Sequence, residues 1–103
     1  MITTCSAQRS VTELSQHIVF FLGNISQFNN TTATTLISEA ESIKGQVREF
    51  PVNIVKKQPI LDELDLTISI LQQALVSNPV ANLFSALQLL DIVRSKIEDL
   101  SCC

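Results

Sequence analysis

The chain reads as all-α, an antiparallel up-down-up-down four-helix bundle. Three observations predict it. Large apolar residues recur at threes and fours in four separate stretches, which paints one stripe down each helix. Turn and cap residues separate those stretches: Asn29-Asn30-Thr31-Thr32, Pro51 and Asn78-Pro79. Glycine and proline are scarce, with 2 and 3 copies in 103 residues, so little else interrupts the pattern.

The chain is organised around residues 59–101. Leu61, Leu64, Ile68, Leu71 and Leu75 form one stripe, and Val80, Leu83, Leu87, Leu90, Val93 and Ile97 form the next. Proline is tolerated at a first helical position, whose amide lacks an internal partner. Pro59 and Pro79 therefore predict helices over 59–77 and 79–101, with Asn78 as the cap of the second. A joint this tight turns the two stripes toward each other. Asp62 and Glu63 would then fall in a first turn, where carboxylates suit the helix dipole.

Upstream, residues 1–9 lack periodicity and predict a loose arm. Ser10 and Glu13 have capping-box spacing and open a helix over 10–28, with Val11, Leu14, Ile18, Phe21, Leu22, Ile25 and Phe28 as its stripe. A second helix covers 31–49 through Ala33, Leu36, Ile37, Ala40, Ile43, Val47 and Phe50, and Pro51 ends it. Its run of threonines has weak helix propensity, but the stripe continues through it. Residues 51–58 are expected as the one long connection, with Val52, Ile54 and Val55 folded back over the core. Residues 10–101 make a single domain, and 102–103 a frayed tail.

Composition narrows the function. Seven basic against ten acidic residues give a net charge of −3, with no basic cluster beyond Lys56-Lys57, so no nucleic-acid partner is expected. No apolar run is long enough for a transmembrane segment. The first ten residues carry no apolar signal-peptide core, so the expected location is cytoplasmic. Cys5, Cys102 and Cys103 fit no zinc spacing, and free thiols are expected. The Cys102-Cys103 end resembles the prenylated terminus of Rab-type GTPases, yet no phosphate-binding loop or basic run accompanies it. Asn24, Asn29 and Asn30 fall in Asn-x-Ser/Thr triplets, read here as chance, with Asn24 expected inside a helix. Gly23 and Gly45 are expected where another helix approaches closely.

Catalytic candidates are few. His17 is the single histidine. A lone histidine on a bundle helix resembles the phosphoacceptor of histidine phosphotransfer domains, which have this size and architecture. That resemblance implies a nearby lysine, whereas no Lys or Arg follows His17 until Lys44. The carboxylate groups Asp62/Glu63/Asp65 and Glu98/Asp99 have no accompanying nucleophile or base. No enzyme, cofactor or metal is expected.

Charge distribution is more informative. No Asp, Glu, Lys or Arg lies between Leu14 and Ser38, or between Leu66 and Leu90. Both gaps centre on turns that an antiparallel bundle places at one pole. Six apolar residues also point away from the stripes at 100° per residue: Val19, Phe20, Leu66, Ile70, Leu89 and Ile92. A helix apolar on two faces is buried on two sides. The expected function is therefore a small interaction or assembly protein. It would self-associate as a homo-oligomer or bind a helical protein partner through the uncharged pole and these second faces. The alternative is a carrier of a small apolar ligand in the bundle core.

Overall fold

A computed structural model describes the backbone of residues 4–100 and the side chains of residues 6–100. It contains four helices: α1 (Thr4–Gly23), α2 (Asn30–Arg48), α3 (Ile54–Ala74) and α4 (Pro79–Leu100), with a single 3-10 turn, Ile25–Gln27, between the first two. There is no strand among the described residues. Each helix packs on its chain neighbours, and α1 also packs on α4, which closes the ring. The molecule is 40 Å long and about half as wide, at 21 × 20 Å. The four-helix fold matches the sequence reading.

The predicted stripes are the core. Val11, Leu14 and Ile18 from α1 meet Leu36, Ala40, Ile43 and Val47 from α2, Leu61, Leu64, Ile68 and Leu71 from α3, and Leu83, Leu90, Val93 and Ile97 from α4. The ends of the stripes depart from expectation: Ile25, Leu75 and Val80 stand in solvent. Three side-chain contacts tie adjacent helices at mid-height, two of them lysine–carboxylate ion pairs. His17 pairs with Glu39 across α1 and α2, Lys44 with Asp65 across α2 and α3, and Glu63 with Lys96 across α3 and α4.

Helix boundaries differ from the sequence reading at several points. The arm expected at 1–9 is helical from Thr4, because Ala7 extends the stripe of Val11 and Leu14 and is fully buried. Residues 1–3 lie outside the described residues, as do the side chains of Cys5, Cys102 and Cys103. The expected capping box at Ser10 and Glu13 is therefore inside α1, and the Ser10 hydroxyl instead accepts a hydrogen bond from Gln46 Nε2 at 3.2 Å. At the other end α1 stops at Gly23, five residues early. The Asn24 side chain donates to the Phe20 carbonyl at 3.0 Å, a local bond that competes with helix continuation. Asn24 is thus in a turn rather than mid-helix. Asn29 caps α2 as its turn chemistry predicts: its side chain accepts from the Thr32 amide while Thr32 Oγ1 accepts from the Asn29 amide.

The largest correction lies between α2 and α3. Residues 54–58 are helical, so Pro59 sits in the second turn of α3 and Asp62 and Glu63 lie further in. Proline there removes one ladder bond, normally a cost of about 3 kcal/mol in a helix interior. Two features offset it. Asn53 caps the new start by accepting from the Val55 amide at 2.9 Å. Lys57 occupies the core stripe of α3, four residues before Leu61, and is buried. Its ammonium donates to the carbonyls of Arg48 at 2.7 Å and Phe50 at 3.2 Å. The Arg48 carbonyl ends α2, where helix geometry leaves acceptors without partners and the dipole favours a cation, and the Phe50 carbonyl lies in the turn just beyond, where it also accepts from the Val52 amide at 2.8 Å. Val52 packs on the core as expected, whereas Ile54 and Val55 face solvent.

At the opposite end α4 begins at Pro79 as predicted. Asn78 departs from its expected cap geometry, adopting a positive φ of 46°, a conformation asparagine tolerates better than most residues. The Asn82 side chain braces this turn by donating to Ser77 and Asn78 carbonyls. The glycine expectation fails: a side chain at Gly23 or Gly45 would meet open space.

Two stability predictions follow from this packing. Lys57→Met leaves two carbonyls without their charged donor and should lower stability by roughly 1–3 kcal/mol, while Lys56→Met, at an exposed site, should be near neutral. Gly45→Ala should raise stability by about 0.5–1 kcal/mol, because the helix gains propensity with no clash. Thermal unfolding followed by circular dichroism measures all three.

Candidate functional site

The two bends share a pole. Phe28, Asn29 and Asn30 from the first hairpin line one surface depression with Leu75, Val76, Ser77 and Pro79 from the second. This end is free of Asp, Glu, Lys and Arg for roughly 14 Å down each helix, taking 1.5 Å per residue. The absence of charge is therefore a property of one half of the molecule.

The six off-stripe residues fall in three places, four together on α3 and α4 and Val19 and Phe20 each apart. On α3 and α4 the anchor is the Glu63–Lys96 pair, 2.5 Å apart across the seam. Seven residues further toward the uncharged pole on α3 stands Ile70, and seven back along α4 stands Leu89. Each lies within about 20° of its anchor at 100° per residue, so the two face each other over the same seam. Both are half-buried, with Ile70 packed against the core. One turn nearer the ion pair, Leu66 and Ile92 point further outward, 51% and 45% exposed. These four residues make an apolar strip along the seam, the trough, with Ile70 and Leu89 half-buried as its floor and Leu66 and Ile92 exposed as its rims. Asp62 and Asp99, both exposed, flank its charged end outside Glu63 and Lys96. Gln58 Nε2 donates to Asp62 at 2.8 Å. The Glu63 Oε2 atom is buried with no hydrogen-bond partner.

Val19 and Phe20 do not join this trough, because α1 lies diagonally across the bundle from α3. Val19 lies in a groove between α1 and α4 of about 510 Å³, lined also by Ser15, Leu87, Asp91 and Arg94. Phe20 faces the other flank of α1, beside a pocket of about 220 Å³ shared with His17, Phe21, Thr35 and Leu36. The His17 ring is half-exposed, and its Nδ1 lies 2.8 and 3.0 Å from the two Glu39 carboxylate oxygens. No lysine or arginine lines that pocket. Among the described residues no group of three His, Cys, Asp or Glu is arranged to hold a metal ion. Among the described residues no helix is long and apolar enough to cross a membrane.

Sequence reasoning passed over Phe84 and Val76, both well exposed. Phe84 was findable, since it lies about 100° from Leu83 and so well off the α4 stripe. Val55, expected to fold back over the core, is exposed because α3 begins at Ile54 and turns it to solvent.

Comparison with protein families, characterised proteins and solved structures finds no match to this chain.

The trough residues separate by role. Leu66→Ser and Ile92→Ser, at exposed rims, should each change stability by no more than about 0.5 kcal/mol. Ile70→Ser, at the floor, should cost about 1–3 kcal/mol through lost burial. Urea titration of the three variants distinguishes rim from floor.

Proposed function

We propose that this protein is a non-catalytic interaction module. It self-associates or binds a helical protein partner through the apolar trough on α3 and α4, with the uncharged pole as a further contact surface. The observation that carries this reading is the clustering of Leu66, Ile70, Leu89 and Ile92 over one seam. Scattered surface apolars are ordinary, but a contiguous patch spanning two helices marks a contact site. Leu66 and Ile70 stand at i and i+4 on α3, and Leu89 and Ile92 at i and i+3 on α4, the spacings at which one helix packs on another. The interior supports this reading over a hollow-core carrier, since large aliphatic side chains from all four helices fill it. The pocket beside His17 has no cation to hold a phosphoryl group, which favours a binding role over phosphotransfer.

Light scattering over micromolar to millimolar concentration, together with cross-linking in the native host, tests the proposal. Wild-type protein should appear as an oligomer or in a cross-linked complex, and Leu66→Asp with Ile92→Asp should abolish that species while leaving the circular dichroism spectrum helical. A monomer at every concentration with no cross-linked partner overturns it.

A further inference from the structure

The trough is electrically lopsided, and this constrains what can lie in it. From the uncharged pole downward the seam presents Gln73 and Ser85, then Ile70 and Leu89, then Leu66 and Ile92, then Glu63 and Lys96, with Asp62 and Asp99 on the outer edges. The Lys96 ammonium is already engaged by Glu63. Asp99 makes no ion pair among the described residues, and Asp62 meets only the neutral amide of Gln58. Two carboxylates without a cation thus flank one end of an apolar strip, and no charge flanks the other. The next cation on this face is Lys56, two helical turns beyond Glu63 toward the charged pole.

A second copy of this chain meets that pattern poorly. Docked parallel, it would set Asp62 and Asp99 against their own counterparts. Docked antiparallel, it would set them against the amide and hydroxyl groups of the neutral end. Neither arrangement supplies a cation. An amphipathic helix whose apolar stripe is bordered at one end by Lys or Arg supplies both requirements. Its leucine-type anchors fill the trough, and its basic residues reach the two rim carboxylates. We infer that the trough takes such a basic amphipathic helix from another protein, held in one direction by Asp62 and Asp99. This rests on the interaction reading above and narrows it to one partner chemistry.

Two synthetic helices about five turns long test the inference. They share one leucine stripe and differ at the positions bordering one end, lysine in one and glutamate in the other. Fluorescence anisotropy against the full chain should show the lysine helix binding roughly fivefold more tightly, as expected for two exposed ion pairs, with the preference fading at high salt. Asp62→Asn with Asp99→Asn should remove the preference, whereas Glu13→Gln with Glu41→Gln, equal in charge but on α1 and α2, should leave it. Leu66→Ser with Ile92→Ser should weaken both helices alike. Equal binding of the two helices, or a preference that survives the Asp62/Asp99 change, overturns the inference while leaving an interaction surface intact. A wild-type homodimer that Ile92→Ser dissociates overturns it in favour of a second copy. If neither helix binds, this inference fails, and the broader reading then stands or falls by the light-scattering experiment.

Discussion

Lys57 sits on the core-facing stripe of α3 and holds its ammonium against carbonyls at and just beyond the end of α2. Burying a lysine is unfavourable unless its head group is satisfied, so this position fixes how the first hairpin meets the second. With the ammonium on Arg48 and Phe50, the α3 stripe can start only where Lys57 starts it. Ile60, Leu61 and Leu64 then fall into the core in sequence. The Lys44–Asp65 and Glu63–Lys96 pairs lie further along the same helix and depend on that starting point. The trough, built on the flank of α3 that carries Glu63, inherits its register from the same place.

The four stripes were legible because burial imposes a helical period, and each was long enough to display it. The Asn29 cap and the Pro79 start were legible because few residue types satisfy those positions. Three misreadings have physical causes. Lys57 fell within the expected connection because a lysine's burial depends on carbonyls nine and seven residues earlier, which no local pattern reveals. Pro59 looked like a helix start because proline prefers the first turn, yet tertiary capping on both sides of the link outweighed that preference. Gly45 suggested a close approach between helices, but its side faces water.

The site was readable in part. Helical spacing alone identified Leu66, Ile70, Leu89 and Ile92 as off-stripe, but a periodic pattern gives a direction from one axis and not a neighbour on the next. Only the ion pair between Glu63 and Lys96 establishes that the α3 and α4 residues converge. Val19 and Phe20 carried the same signal and lie on different flanks of α1. An off-stripe residue beside another helix's off-stripe residue makes a shared surface, whereas Val19 and Phe20 border two separate pockets.

The separation of ionic groups into one half of a 40 Å rod also makes the molecule respond unevenly to its solvent. Added electrolyte shields formal charges near the termini and the α2–α3 link, and finds almost none to shield around the two bends. Salt therefore acts as a regional reagent on this protein. At modest ionic strength, where screening of charges is the main effect, it acts on one end of the bundle and leaves the apolar contacts and amide hydrogen bonds of the other nearly untouched.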